Sequence, residues 1–512
     1  MKRMQKAAGL ILTAALLCTT LASCGSKTAD SSGKETITVA VMDRGQVSAA
    51  EGTYDNNRWT KWISENSGIN VEFVPIPRSE LQSKLNLLIA SGNAPDVFFD
   101  YDRSFVSRLI MDNAIQPIDE YVDKYSTAYK KYISEHNELE PYLKVDGKSY
   151  AFTSARSMDS IANQVIFIRQ DWLDKLNLPT PQTVDDLISV ARAFTKNDPD
   201  GNGVDDTLGV AATSAFPIIA DAMYFCGSLW YDEDGQLDFA ATSDRRVKEF
   251  EFLRTLYSEG LMDSEFFTDN NYTRGKQQWI TGKAGMYFSS INSHYYEDLL
   301  KNVPDASVVP LTALSTEFGT NGLWQEAPPR LYVMMNAETK KQEAIVKYID
   351  WMLETGWTSL TYGEEGVHYE MRGGLPHVTD QDKFQKEVQY ASEYVIVSQG
   401  NKTPEYYRAT APEDPSKRKH ALLTADAIEA ALATEMRRDI PYEPVLNETA
   451  NIWSEFNPIL SEQRVKAMTG ADGTTPQSAY DKLVSEWNRL GGENVEKAMN
   501  DWYAQNKDQL KK

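Results

Sequence analysis

Cysteine is nearly absent, with 3 in 512 residues. That excludes a disulfide scaffold and argues against a multi-cysteine zinc site. Histidine is also scarce, at 5, and neither HExxH nor a close histidine pair is present. Basic residues fall short of acidic ones, 52 against 74, for a net charge of −22. Without a dense basic face, nucleic acid is excluded as the main partner. No G-x-S-x-G and no P-loop occurs. One long apolar run exists, at the N-terminus. What is plentiful is apolar residues at 41%, with 26 Tyr and 11 Trp. This is enough for large cores, and the length predicts more than one domain.

Lys2, Arg3 and Lys6 precede an uncharged, mostly apolar run from Ala7 to Ala22, then Leu21-Ala22-Ser23-Cys24-Gly25. A short apolar run behind a basic start reads as an export signal, since a membrane span needs about 20 residues. The ending is similar to a bacterial lipobox, which makes 1–23 a signal peptide and Cys24 the lipidated N-terminus of the mature chain. The alternative is an ordinary signal with an incidental cysteine. Residues 1–23 carry three cations and no acid, so the remainder holds 49 cations against 74 acids, net −25. Cys18 would leave with the signal, and Cys226 alone would stay free, reading as a small buried hydrophobe. Residues 24–35 are small and polar, a flexible tether. The body is expected outside the cytoplasm, leashed to the cell membrane by lipid.

Thr36–Met42 and Ile69–Val74 alternate as strands, the second stopped by Pro75 and Pro77. Ser79–Ala90 has a helical apolar face with Ser79 as N-cap, and Ala94–Phe99 is a short buried strand. Strand–helix–strand–helix–strand predicts a parallel, doubly wound α/β sheet, with ligands gathering at strand ends after Asp43 and Asp100. Further strands are expected at Asn163–Arg169, Lys283–Ser289 and Ser307–Leu311, a hairpin at Leu229–Phe239, and a mostly helical C-terminus. No internal repeat and no Pro/Gly-rich divider appears, which fits two lobes between which the chain crosses more than once. The expected division is 36–153 with 308–390 for lobe 1, and 154–307 with 391–512 for lobe 2.

Asp198-Pro-Asp-Gly-Asn-Gly-Val-Asp-Asp-Thr207 carries the sharpest local pattern. Asp198, Asp200, Asn202, the Val204 carbonyl and Asp206 occupy positions 1, 3, 5, 7 and 9 of an EF-hand loop, with Gly203 at the sixth. Position 12 is Gly209 instead of a bidentate Glu. The loop predicts a structural Ca²⁺ site; the alternative is an Asp/Gly/Asn turn without metal.

Several stretches together resemble extracellular solute-binding lipoproteins of carbohydrate ABC importers, nearest to the large branch that includes alginate-oligosaccharide-binding proteins. They are the Cys24 lipobox, Ser91–Val97, Ile168–Leu176, Asp198–Thr207, Gly282–Met286 and Gly363–Tyr369. The resemblance implies a periplasmic-binding-protein-like fold of two hinged α/β lobes that close on a sugar, no catalysis, and delivery to an ABC permease by a monomer. It implies a further calcium ligand next to position 9, where Thr207 stands in place of an acid. It also implies sugar contacts at Tyr101, Asp102 and Arg103, and at Asn292, His294 or Tyr295. The loop at 101–103 reads equally as a capped helix start. Trp230, Trp324 and Trp453 are candidate stacking platforms, or else core, because indoles combine a large apolar face with a polar handle. Two rival readings stay open. One is a surface glycoside hydrolase or lyase, which needs paired carboxylates, with Asp100 and Glu326 available. The other is a sensor for a membrane kinase.

Overall fold

The computed structural model describes residues 34–510, apart from 267, 268, 270, 271, 445, 450 and 451. The signal segment 1–23, the tether up to residue 33 and the lipidation call at Cys24 lie outside the described residues. In chain order the main strands are β1 (Thr36–Asp43), β2 (Asn70–Pro77), β3 (Val97–Asp100), β4 (Gln164–Arg169) and β5 (Leu208–Ala212). They continue with β6 (Trp230–Glu233), β7 (Gln236–Phe239), β8 (Ala284–Ser290), β9 (Val308–Leu311) and β10 (Tyr332–Met335).

Two four-stranded sheets carry two lobes. The first has the order β10-β3-β1-β2 and the second β9-β4-β8-β5. β1 runs parallel to β2 and β3, with Val39 opposite Phe73, but β10 joins antiparallel, Val333 opposite Phe99. The second sheet is mixed as well, since β4 is antiparallel to both β8 and β9. The all-parallel expectation therefore holds for three strands of the first sheet only. Sequence alternation reveals strands, not the direction of a late-returning strand. β2 also continues through Pro75 to Pro77. It is an edge strand, where a missing N–H leaves no broken ladder bond. Ser79 is not a cap: residues 78–80 form a 3₁₀ turn before the helix Leu81–Ala90.

The first core gathers β1, β2, β3, β10, the helix Gln342–Trp351 and Val388–Val397. The second gathers β4, β5, β8 and β9 with Leu314, Leu323 and the helix Pro415–Leu432. Both expected lobe boundaries are thus corrected. Residues 308–323 belong to lobe 2, because β9 pairs along β4, and 391–397 belong to lobe 1, where Tyr394 bonds the carbonyl of Tyr54 at 2.8 Å. A third, smaller core joins the β6–β7 hairpin to the C-terminal helices through Trp230, Phe239, Phe456 and Trp487. Its turn is Asp234-Gly235, both at positive φ, as a tight hairpin of this hand needs.

The chain crosses between the two sheets three times. The stretch 152–156 pairs with 328–333, through Phe152 with Val333 and Ala155 with Pro329. The third crossing is tied alongside, with Ser398 N to Ser154 Oγ at 3.1 Å and Lys402 N to Ser157 Oγ at 2.7 Å. In lobe 1, buried Asp350 accepts from Ser126 Oγ at 2.6 Å and from the amides of Thr127, Ala128 and Tyr129 at 2.7–3.1 Å. One carboxylate thereby caps the helix Ala128–Glu135, whose own sequence supplies no cap. No helix among the described residues is long and apolar enough to cross a membrane.

Candidate ligand cleft and cation loop

Next to the crossings lies a cavity of about 220 Å³ walled by Trp230, Trp324, Glu326, Arg438, Tyr442 and Glu443. The segment carrying Trp324 is strapped to the stretch after the helix Pro415–Leu432. Gln325 Nε2 donates to the carbonyls of Ala431 and Thr434 at 2.9 and 2.8 Å, and Arg437 N donates to Asn321 Oδ1. Gly322 is required there, because a Cβ would stand 2.3 Å from the Thr434 oxygen. On the other side the hairpin presents Trp230 and is held by Asp232 N on Asp439 Oδ2 at 2.7 Å.

The polar groups of this cavity are oriented by indoles. Trp324 Nε1 donates to Glu326 Oε1 at 3.0 Å. Trp230 and Trp453 donate to the two oxygens of Glu443, at 3.3 and 2.9 Å. Burial pushes the Glu443 carboxyl up to about 7, against the pull of those two N–H groups. A larger cavity of about 890 Å³ opens on the far side of Tyr442, between lobe 1 and the C-terminal helix Gly492–Leu510. Arg103, Lys144 and Trp502 line it, and the Arg103 guanidinium lies 4.8 Å over the Tyr442 ring. Flat ring faces beside carboxyl, guanidinium and phenol groups suit a ligand with apolar faces and a belt of hydroxyls.

Of the residues singled out from sequence, Trp230 and Trp324 share the first cavity, and Arg103 lines the second. Trp453 lies in the third core and reaches the cavity only through Glu443. Asp102 caps the helix Arg103–Met111, accepting from Ser104 N at 2.8 Å. Tyr101 is 38% exposed, with Arg78 over its ring. His294 is a correction. It is fully buried, lies against Phe167 and His420, and its Nε2 meets Thr424 Oγ1 at 2.9 Å. Burial holds it neutral, with a pKa well below the usual range, so it is a core histidine. Asn292 is exposed, and Tyr295 sits under the Lys276 ammonium at 3.8 Å, and neither lines the two cavities. Asp100 is buried, accepting from Gln82 and the Asp102 amide, and does not face Glu326 across either cavity. Arg438, Tyr442 and Glu443 were not anticipated. They lie in an irregular stretch, and their one signal is an aromatic–acid pair between Pro441 and Pro444.

In the acidic loop, Asn202 Nδ2 meets Asp200 Oδ2 at 2.7 Å and Asp206 Oδ1 at 3.3 Å, so three candidate ligands share one space. Asp198 accepts from the amides of Gly201, Asn202 and Gly203, which closes the turn. Burial and the neighbouring Asp198 raise the Asp200 pKa, a sign of crowded carboxyls that a cation would relieve. The Lys283 ammonium pairs with Asp206. Thr207 is a correction: its hydroxyl donates to the Phe194 carbonyl at 2.8 Å and is buried away from the loop. Gly209, at position 12, packs on Ala191, where a Cβ would meet that residue at 2.7 Å. No acid fits there.

Residues 49–358 match the family model described as bacterial extracellular solute-binding protein. Among curated proteins, the chain is 26% identical over 469 residues to the polygalacturonan/rhamnogalacturonan-binding protein YtcQ of Bacillus subtilis, covering 86% of each chain. It is 23% identical to lipoprotein LipO of the same organism, over 95% of this chain and 96% of that one. Among solved structures, an EF-hand mutant of the Streptococcus pneumoniae substrate-binding protein FusA with fructo-nystose superposes with a TM-score of 0.68 at 19% identity. That match covers 93% of this chain and all of that one.

Proposed function

This chain belongs to the bacterial extracellular solute-binding protein family, and from that premise we propose that it captures an oligosaccharide between its lobes and delivers it to an ABC permease. The observation that carries the proposal is the cavity beside the crossings, where Trp230, Trp324 and Tyr442 surround Glu326, Arg438 and Glu443. The polysaccharide-binding relative YtcQ supports it. Ligand held from both lobes favours a closed arrangement, and the permease reads that arrangement. The protein is a binder, not an enzyme, and acts as a monomer held at the extracytoplasmic face of the membrane by lipid on Cys24. LipO, a lipoprotein by name, supports the anchor.

Asp198, Asp200, Asn202, the Val204 carbonyl and Asp206 hold a structural Ca²⁺ in this reading. The protein named as an EF-hand mutant among the structural neighbours supports it. Adding calcium to chelator-stripped protein should raise its melting temperature, and Asp200→Asn should blunt that rise; no calorimetric binding and no shift would sink the assignment.

One observation favours a second reading. Glu326 and Glu443 face one cavity, and Glu443 holds a proton near neutral pH, as a glycosidase acid does. Incubating purified protein with a panel of oligosaccharides separates the two. Sugar recovered intact, with a ligand-dependent rise in melting temperature, supports the binder; shorter products made catalytically would replace it with the hydrolase.

A further inference from the structure

In lobe 2 the most deeply buried guanidinium groups find carboxylates. Arg246 and Arg464 in lobe 2 each pair with both Asp221 and Glu249. Arg169 forks onto Asp171 at 2.8 and 2.6 Å. This is the usual rule, because a charge withdrawn from water is costly without a counter-charge.

Four guanidiniums around the crossings have no such partner. Arg156 and Arg330 stand on the paired crossing strands themselves. Arg156 donates to the carbonyls of Ala327 and Pro329, at 3.0 and 3.1 Å, and Arg330 to that of Val395 at 2.7 Å. Arg438, on the cavity wall, donates to the Gln325 carbonyl. Arg103 donates to the Tyr142 carbonyl at 2.7 Å. Among the described residues, none of the four has a carboxylate oxygen within 4.0 Å. They are neighbours: Arg156 feels the negative charge of Glu326 and the positive charge of Arg438, and Arg330 the negative charge of Glu393 and the positive charge of Arg156. Tyr142 joins the remaining one, bonding Arg438 through its side chain and Arg103 through its carbonyl. Burial lowers the pKa of Arg103, Arg156 and Arg330, more than the carboxylates at longer range, Asp102, Glu326 and Glu393, raise it.

The carboxyls nearby are occupied. Glu326 and Glu443 accept from indoles, Asp102 caps a helix, and Glu393 pairs with Arg44 at 2.7 Å. In a chain with a net charge of −22, these four arginines gather at one junction.

We infer that the captured oligosaccharide is an acidic one, that Arg438 in the first cavity and Arg103 in the second receive its carboxylates, and that Arg156 and Arg330 add positive charge beside Arg438. This rests on the reading of the cleft as an oligosaccharide site and narrows it to uronate-bearing sugars. A guanidinium matches a planar carboxylate with two parallel N–H donors, and an arginine already anchored to backbone carbonyls is oriented before ligand arrives. The Trp230, Trp324 and Tyr442 rings supply faces for the ring carbons of the same sugars.

The test is calorimetric titration of the purified protein with oligogalacturonates and alginate oligomers, their methyl esters, and neutral and sulfated oligosaccharides of equal length. A uronate oligomer should bind about tenfold or more tighter than its ester, and added salt should narrow the gap. Arg438→Gln should weaken the uronate about tenfold to a hundredfold and the ester several-fold less, so that the gap between them narrows. Arg438 is half-buried and holds one backbone carbonyl and the Tyr142 side chain, so this variant is expected to fold, and the ester comparison needs no variant. Equal affinity for acid and ester, or preference for neutral or sulfated sugar with no response to Arg438→Gln, overturns the inference and keeps the oligosaccharide reading. No binding of any sugar overturns both.

Discussion

Replacing Glu443 by Gln should reshape the pH dependence of stability. The Glu443 carboxyl keeps its proton to a pH of about 7 in the folded protein, against 4.5 ordinarily. The folded state therefore binds more protons than the unfolded state over that interval, and stability falls as pH rises from about 4.5 through 7. At about 1.4 kcal/mol per pH unit, and allowing for its partial exposure, ionising Glu443 costs roughly 2–3 kcal/mol. The carboxamide escapes that cost but keeps one acceptor for two indoles, a loss of about 1 kcal/mol. Glu443→Gln should then be less stable than the parent below pH 4, by about 1 kcal/mol, near equal to it at pH 5, and more stable at pH 8, by about 1–2 kcal/mol. His294 acts in the opposite sense. It is neutral when folded, and its stabilisation is lost as pH falls through about 6.5, equally in both proteins. Differential scanning calorimetry of the pair from pH 3.5 to 8 reads the difference directly. Parallel curves that never cross would refute the reasoning.

Trp324→Ala should weaken oligosaccharide binding by about tenfold while shifting the melting temperature of the sugar-free protein little, because the ring is only half-buried; a collapse in stability would place it in the core. His294→Ala should cost about 2–4 kcal/mol of stability with affinity unchanged in the folded fraction, as read by denaturation and titration of one preparation. Asp350→Ala leaves the Ser126 hydroxyl and the amides of Thr127, Ala128 and Tyr129 without their acceptor and should cost about 3 kcal/mol, checked by urea unfolding followed by circular dichroism.

Much of the fold was legible in the chain. β1 shows as a β-rich apolar run, and the Asp234-Gly235 turn fixes its hairpin, because both depend on local chemistry. What depends on distant partners was not legible. The prolines of β2 read as terminators until its edge position makes their missing N–H harmless. β9 reads as a strand, but only its pairing with β4 assigns it to the second lobe. The cleft was half legible. Trp230 and Trp324 are conspicuous residues, whereas Arg438 and Glu443 acquire meaning only when folding brings them beside those rings. His294 shows the converse, a chemically capable residue spent on packing.

The three crossings also govern how the molecule can be made. Neither lobe is a continuous stretch of chain. The first sheet lacks its β10 edge until residue 335 has been synthesised, and its core lacks Tyr394 and Val397 for longer still. A growing chain thus holds a half-finished lobe 1 while all of the second sheet is laid down, and such long-range closure is slow. No fragment that stops before residue 397 contains a whole lobe. Dissecting this receptor into separately folding halves by simple truncation should therefore fail, whereas splitting it inside an exposed loop with both pieces present leaves every crossing intact.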